Sequence, residues 1–219
     1  MILAVTLVAG IGVAWLAYAG WLSYAHSVSF QQALLLVPIA VLGRLDARAL
    51  RGKAQTTRVI YVVSHQSRLD PALMISLLPD DTLHILDSQS ARSAWLEPWR
   101  AVGRTIAFNP EHLFVSRRLV RVLRGGGRLC VYMPADVAPD SREFRLYRAV
   151  ARIALRAEAK TMPINIWQTA GVLPKLTVHA LAPATIEELV AQNGGGITNS
   201  GALYERVTET HVEPERRAA

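Results

Sequence analysis

The sequence predicts an α/β fold: a mixed, largely parallel sheet flanked by helices, preceded by an N-terminal membrane helix or hairpin. From Arg58 onward, short apolar runs rich in β-branched residues alternate with stretches of helical periodicity, which is typical of parallel strands joined by helices. Before Arg44 the chain has no Asp, Glu, Lys or Arg, and 51% of all residues are hydrophobic. A charge-free segment ahead of an alternating pattern favours a membrane anchor attached to one globular domain.

Residues 1–43 are expected to form the anchor. Residues 2–24 are nearly all apolar, a length that crosses a hydrocarbon core of roughly 30 Å. A second apolar run, residues 30–43, is shorter and contains Pro38, so it is expected to dip into the membrane or lie along it. One span and a hairpin both remain open, and a buried helix of a globular protein is the alternative. A cleaved signal peptide is disfavoured because no basic residue precedes the apolar run.

Residues 44–57 are expected to be a basic linker on the cytoplasmic side of the membrane. Positive charges beside a membrane segment favour that side. The linker and the residue that follows it carry five basic side chains, Arg44, Arg48, Arg51, Lys53 and Arg58.

Residues 58–212 are expected to form the α/β domain. Apolar runs of strand length predict strands over residues 59–64, 82–86, 105–108, 128–133, 161–167 and 175–181. Helical periodicity predicts helices over residues 70–79, 90–102, 111–124, 144–157, 185–192 and 202–210. Asp70 ahead of Pro71 predicts a helix start with the aspartate as N-cap, and the three glycines at 125–127 end the helix before them. Residues 213–219 are expected to be a frayed tail.

Positive charge is concentrated in one part of the chain. Residues 100–160 contain 13 Lys and Arg against 5 Asp and Glu, whereas the net charge of the whole chain is +7. Two predicted helices each carry four arginines at helical spacing, Arg117, Arg118, Arg121 and Arg124 on one and Arg145, Arg148, Arg152 and Arg156 on the other. The pattern indicates an acidic partner: a phospholipid membrane, a phosphate-bearing substrate or an acidic carrier protein. Two solvated amphipathic helices are the alternative, and no nucleic acid is expected on a membrane-anchored chain.

The single cysteine and the scattered histidines exclude some kinds of site. Cys130 has no second cysteine with which to form an internal disulfide or a zinc cluster, and its apolar surroundings predict a buried, unreactive thiol. His84, His112 and His179 have no partner at metal-ligand spacing. We therefore expect no metal site, and no cofactor.

His65 and Asp70 are the residues best placed for chemistry. The segment from His65 to Asp70 reads HQSRLD and lies between the first predicted strand and its helix. Open α/β sheets bind ligands at the carboxyl ends of their strands. A histidine there acts as a general base when a carboxylate fixes its tautomer and supports the imidazolium. The alternative is a loop histidine bonded to the backbone, with Asp70 serving only as a helix cap.

The segment HQSRLDP, which begins at His65, resembles the H-x-x-x-x-D signature of the glycerolipid (lysophosphatidate-type) acyltransferases. Later segments follow that family's order as well. They are AFNP at 107–110, GGG at 125–127, the strand ending in MP at 133–134, LY at 146–147 and TMPI at 161–164. The resemblance covers about residues 55–185 and is greatest to the acyltransferase domain of bacterial acyl-ACP-dependent lysophosphatidylethanolamine acyltransferases.

The resemblance implies a membrane-associated O-acyltransferase. It assigns His65 as the base that deprotonates an acceptor hydroxyl and Asp70 as the residue that orients the imidazole. The substrate-binding residues that we expect are Ser67, Arg68, Asn109, Pro134, Asp136 and Arg145. The implied donor is an acyl thioester, acyl-ACP or acyl-CoA, and the implied acceptor is a lysophospholipid or a glycerol-phosphate-type molecule. The implied location is the cytoplasmic face of a bacterial inner membrane.

Two segments depart from the family's pattern. Where the family usually has Phe-Pro-Glu-Gly, with a glutamate that helps to bind the acceptor's glycerol-phosphate, this chain has MPAD at 133–136. Asn109 and Pro110 stand where an arginine is common. The acceptor-binding half of the site is therefore altered, and a catalytically impaired protein that binds lipid or docks a partner is the alternative hypothesis. A serine hydrolase is disfavoured, since the sequence has no G-x-S-x-G elbow.

Overall fold

A computed structural model describes residues 2–65, 67–107, 114–134, 137–138, 141, 143–169 and 175–217. The strands of this part, in chain order, are β1 (Val59–His65), β2 (Leu83–Leu86), β3 (Arg104–Ala107), β4 (Arg128–Pro134), β5 (Lys160–Gln168) and β6 (Leu176–Ala180). They form one six-stranded sheet in the order β3-β2-β4-β1-β5-β6. Neighbouring strands are parallel except for β5 and β6, which are antiparallel. The predicted mixed, largely parallel sheet is confirmed.

Helices cover both faces of the sheet. In chain order they are α1 (Ile2–His26), α2 (Phe30–Leu42), α3 (Asp70–Leu77), α4 (Ser88–Arg92), α5 (Glu97–Val102), α6 (Phe114–Arg124), α7 (Phe144–Ala157), α8 (Ile186–Gln192) and α9 (Asn199–Arg217). Residues of α1, α2, α3 and α5 pack in one hydrophobic core with one face of the sheet, and α6 to α9 pack in a second core with the other face. Two cores on opposite faces explain why β1 is buried along almost its whole length.

The two apolar N-terminal segments are both helical but differ in their surroundings. Residues 4–26 of α1 form a helix long and apolar enough to cross a membrane, and every side chain from residue 4 to residue 17 is exposed. From Tyr18 onward α1 packs against α2. The shorter α2 packs against the domain, where the buried Gln32 amide donates hydrogen bonds to Ile75 O at 2.7 Å and Leu78 O at 2.9 Å. Within the described residues, α1 is the helix that fits a membrane span.

Segment 44–57, predicted to be a basic linker, packs onto the domain. Asp46 adds a backbone bridge to β6, with Asp46 N–H donating to Leu176 O and Val178 N–H donating to Asp46 O, both at 2.8 Å. Leu50 and Ala54 are at most 5% exposed. The apolar residues among the arginines gain stability from burial, so the segment folds as the first part of the domain.

Two helix predictions need correction. The predicted helix at 90–102 is divided into α4 and α5 with a 3₁₀ turn between them, because Ser93 has extended backbone (φ −72°, ψ 120°) and Pro98 lies in the first turn of a new helix. The predicted helix at 202–210 starts earlier, at Asn199, and its backbone continues to Arg217, so most of the expected frayed tail is helical. The start of the predicted helix at 111–124 lies outside the described residues.

Candidate active site

The site lies at the carboxyl edge of the parallel strands. His65 is the last residue of β1, and its register partner in β4 is Pro134, the last residue of that strand. β2 ends nearby at Leu86 and continues directly into the turn that starts α4. Because parallel strands end at a common edge, the last residues of β1, β2 and β4 lie there together. The sequence-based prediction that His65 lies at a strand end is therefore confirmed.

Asp70 contacts His65 through the same oxygen that holds its own loop. Asp70 Oδ2 accepts the Ser67 backbone N–H at 2.8 Å and lies 3.2 Å from His65 Nδ1. The aspartate is the first residue of α3 rather than its N-cap, and the N-cap, Leu69, makes no side-chain cap bond. The predicted N-cap role is therefore wrong: the carboxylate turns back toward the loop, where the Ser67 N–H and the imidazole are its partners.

Burial differs sharply between the two members of the pair. The Asp70 side chain is 3% exposed, whereas the His65 side chain is 32% exposed. With Nδ1 directed at the buried carboxylate, Nε2 is the ring nitrogen left for a ligand. This arrangement suits a general base, because the carboxylate fixes one tautomer and stabilises the imidazolium that forms when Nε2 takes a proton.

His65 opens into a cavity of about 930 Å³. Two arginines from different elements line it, Arg68 in the loop after β1 and Arg145 in the first turn of α7. Pro134 lines it at the end of β4. The volume falls within the range usual for ligand sites, roughly 300–1,000 Å³. The structure thus brings together four of the predicted site residues, His65, Arg68, Pro134 and Arg145.

Carboxylates also line this cavity, and sequence reasoning missed them. They are Asp87 and Glu143. Burial alone would raise the pKa of Asp87, but hydrogen bonds from the Ser90 hydroxyl and from the backbone N–H groups of Ser90 and Gln89 hold this pKa below its usual value. Asp87 is therefore ionised near neutral pH, and the cavity presents positive and negative groups together. The signal in the sequence was Asp87 at the end of a predicted strand, ahead of a helix.

Tyr132 forms the wall of the cavity beside His65. Its ring lies edge-to-face with the His65 imidazole, with 6.0 Å between the ring centroids. The Tyr132 hydroxyl lies 3.0 Å from Nδ1 of His84, a residue that is 1% exposed. Burial lowers the pKa of His84 to about 3 and raises the pKa of the Cys130 thiol to about 12, so both groups are neutral near pH 7. The prediction of a buried, unreactive Cys130 agrees with this environment.

The remaining predicted site residues lie elsewhere. Ser67 does not line the large cavity; its N–H supports Asp70 and its hydroxyl accepts the Leu69 N–H at 3.2 Å. A smaller cavity of about 160 Å³ lies on that side, beside Ser67 and Asp70. Asn109 and Asp136 lie outside the described residues. No group of three metal-ligating side chains occurs among the residues that the structure describes.

The two arginine stripes are exposed on neighbouring helices. The described arginines of both stripes are solvent-exposed, and α6 packs beside α7 on the same face of the sheet. Arg124 joins the ends of the two helices by donating from Nε and Nη2 to Arg156 O. Neither helix contains an acidic residue. Among the described arginines of the two stripes, Arg145 lines the cavity. The basic surface therefore extends to the site at the first turn of α7.

The fold is that of a known acyltransferase. The chain is similar to the crystal structure of PlsC, the 1-acyl-sn-glycerophosphate (LPA) acyltransferase from Thermotoga maritima, with a TM-score of 0.54 and 15% sequence identity. The similarity covers 94% of this chain and 91% of that chain. No protein-family sequence model and no curated protein sequence matches. The likeness therefore lies in the fold.

Proposed function

We propose that this chain is a membrane-associated O-acyltransferase that moves a fatty acyl group from an acyl thioester to the hydroxyl of a lysophospholipid or glycerol-phosphate-type acceptor. The observation that carries the proposal is the pairing of His65 with the buried Asp70, 3.2 Å apart, at the mouth of a large cavity that also holds two arginines. The acyltransferase fold supports it, since a histidine–aspartate pair at this strand end suits acyl transfer to a hydroxyl.

The reaction moves the acyl group from the sulfur of the donor thioester to the hydroxyl oxygen of the acceptor. His65 Nε2 removes the proton from the acceptor hydroxyl while the acceptor oxygen attacks the thioester carbonyl. The tetrahedral intermediate collapses with cleavage of the C–S bond, and the imidazolium returns the proton to the departing thiolate. Asp70 stabilises the imidazolium between these steps, because its carboxylate is buried and held by the Ser67 N–H. Products are an ester and a free thiol.

The acceptor is recognised through its phosphate. Arg68 and Arg145 line the cavity from two different elements, and guanidinium groups bind phosphate oxygens in a fixed geometry. Asp87 and Glu143 in the same cavity favour an acceptor that also carries hydroxyl or ammonium donors. Ser67, Pro134, Asn109 and Asp136 complete the proposed substrate-binding set.

The anchor and the cavity lie toward the same edge of the sheet. Gln32, near the start of α2, contacts the end of α3, and Ile39, near the end of α2, lies beside Asp70 at the start of α3. The three-residue connection after α1 makes α1 and α2 antiparallel neighbours, so the exposed half of α1 extends on the side of the site edge. We propose that this half enters a bacterial inner membrane and that the site works at its cytoplasmic face.

The donor is proposed to be acyl-ACP or acyl-CoA. Both present an acyl thioester at the end of a long phosphopantetheine arm, and both are negatively charged. The exposed arginines of α6 and α7 begin at the cavity with Arg145 and offer either donor a basic surface. A direct comparison of turnover with the two donors, at one ionic strength, decides between them.

The test of the proposal is acyl transfer by membranes that carry the protein. His65→Ala is expected to lower turnover of a lysophospholipid with acyl-ACP or acyl-CoA by about a thousandfold or more. His179→Gln is the matched control, since His179 stacks on Trp167 and does not line the cavity. Equal turnover by wild type and His65→Ala would refute the mechanism.

Membrane association has its own test. Val13 is 68% exposed and lies near the middle of the apolar helix over residues 4–26, and an arginine in the middle of a membrane span costs about 2.5–3.5 kcal/mol. Val13→Arg is expected to release the protein into the supernatant on alkaline carbonate extraction, whereas Val13→Leu stays in the pellet. Retention of both variants would show that α1 does not hold the chain in the bilayer.

A catalytically impaired lipid-binding or partner-docking subunit is the second candidate. The sequence MPAD at 133–136 favours it, because the family's glutamate position is occupied by Ala135. A screen of lysophospholipids with acyl-CoA and acyl-ACP separates the two. Robust product that disappears in His65→Ala removes this candidate.

A further inference from the structure

A row of polar side chains crosses three adjacent strands and ends at His65. In the parallel register His84 of β2 lies opposite Cys130 of β4, and Val63 of β1 lies opposite Tyr132 of β4. Side chains two residues apart on a strand share a face, so His84, Tyr132 and His65 all point to the same side of the sheet. The row leads from a fully buried histidine to the proposed base.

Consecutive members of this row are in contact. The Tyr132 hydroxyl lies 3.0 Å from His84 Nδ1, and the Tyr132 ring lies edge-to-face with the His65 imidazole at 6.0 Å between centroids. His84 also stacks on the Tyr132 ring, with an interplanar angle of 24°. Tyr132 is therefore held at its hydroxyl end and along one ring face, while another part of the ring meets His65.

The hydroxyl of Tyr132 is directed into the protein rather than toward a substrate. Its partner, His84, is 1% exposed and belongs to a strand with neighbours on both sides. Burial lowers the pKa of His84 and raises the pKa of Tyr132 well above its usual value, so the pair is neutral and the phenol keeps its proton. A neutral hydrogen bond inside a low-dielectric core keeps one geometry.

The geometry points to Tyr132 as a positioning residue for His65, locked in turn by His84. This inference rests on the proposed function and deepens it. Asp70 fixes one edge of the imidazole through Nδ1, but a single hydrogen bond leaves the ring free to tilt about that contact. The Tyr132 ring restricts this tilt from the side, so that Nε2 keeps its direction into the cavity. Small errors in the direction of a base are costly, since misplacement by about 1 Å lowers rates by roughly a hundredfold.

Kinetics of three variants test the inference. Tyr132→Phe keeps the ring and removes the hydroxyl, and His84→Leu removes its partner. Each is expected to lower kcat by roughly tenfold with KM within about twofold. The double variant is expected to be no slower than the slower single variant, because both changes break the same hydrogen bond. Multiplied effects in the double variant, or a Tyr132→Phe enzyme with wild-type kcat, would overturn it.

Two controls separate positioning from simple loss of stability. Ile85 is the chain neighbour of His84 and points to the opposite face of the sheet, into the core formed with α6 to α9. Ile85→Val is therefore expected to lower the melting temperature while kcat is unchanged. His84→Gln keeps a polar amide on the same strand and is expected to restore part of the kcat that His84→Leu loses. A kcat that follows melting temperature across all variants would show a structural role only.

A spectroscopic measurement keeps the inference independent of turnover. In protein labelled with ¹³C,¹⁵N-histidine, the His65 ring of the wild type is expected to show a single tautomer, with Nδ1 protonated, and restricted ring motion. In Tyr132→Phe the tautomer is expected to persist, because Asp70 still holds Nδ1, whereas ring relaxation is expected to show increased motion as the ring loses its fixed orientation. If wild type transfers no acyl group but ring motion increases in this way, the proposed function fails and the positioning role stands. Unchanged ring motion would refute the positioning role whatever the activity.

Discussion

Asp70 Oδ2 lies 3.2 Å from His65 Nδ1 and at the same time accepts the Ser67 N–H at 2.8 Å. The five-residue separation of the pair is closed by a turn, in which the Asp70 N–H donates to Ser67 O at 3.1 Å. Because the turn and the carboxylate hold each other, the aspartate arrives beside the imidazole already oriented. The imidazole of His65 is therefore oriented by local chain geometry before any ligand binds.

Replacing the carboxylate should leave the fold and remove most of the activity. Asp70→Asn keeps the size of the side chain but is expected to favour the wrong His65 tautomer, which lowers kcat by about 10³–10⁴-fold. Asp46→Asn is the control, since Asp46 pairs with Arg48 on another part of the surface. The measurement is acyl-transfer turnover with melting temperatures for both variants. A loss of less than tenfold would show that His65 does not depend on Asp70.

Arg145 and Arg152 form a matched pair on one helix. Both are exposed arginines of α7, but only Arg145 lines the cavity. A hydrogen bond to a charged group contributes about 1.5–3 kcal/mol, so Arg145→Ala is expected to lower kcat/KM for a lysophospholipid by roughly 10–100-fold. Arg152→Ala is expected to stay within about twofold. With monoacylglycerol, which has no phosphate, the Arg145 effect should disappear, and its persistence would contradict phosphate binding.

Gln32 and Gln31 test how α2 is attached. The Gln32 amide donates to Ile75 O and Leu78 O inside the protein, whereas Gln31 is exposed. Gln32→Leu leaves two buried carbonyl groups without these donors, at a cost of about 1–3 kcal/mol in the free energy of unfolding. Gln31→Leu is expected to change it by at most about 0.5 kcal/mol. Denaturant unfolding in detergent measures both, and equal values would place α2 away from the domain.

His84 should make the stability depend on pH. Burial lowers its pKa to about 3 in the folded protein, from 6.5 in the absence of burial. Between these pH values His84 is protonated in the unfolded chain and neutral in the folded chain, so the free energy of unfolding falls as pH drops below 6.5. The slope from this one group is at most about 1.4 kcal/mol per pH unit. His84→Gln is expected to remove this contribution, and parallel pH profiles for the two proteins would contradict it.

Much of the fold could be predicted because local patterns match the sheet. All six strands occur close to their predicted positions, and the apolar, β-branched composition of β1 suits its burial on both faces. The division of residues 90–102 at Ser93 was missed, because a change of backbone direction at one serine leaves little trace in helical periodicity. The packing of segment 44–57 was missed because its several arginines make it look solvent-exposed in sequence, although Leu50 and Ala54 are buried.

The sequence by itself determined that His65 stands at the end of a buried strand, five residues ahead of an aspartate that begins a helix. Strand composition and helix-start chemistry are local properties, so neighbouring residues suffice to show them. Only the tertiary structure decided what surrounds the pair. Arg145, Tyr132 and His84 come from three elements distant along the chain. Strand order and register place His84 and Tyr132 in a row beside His65, and the packing of α7 on the sheet brings Arg145 to the cavity.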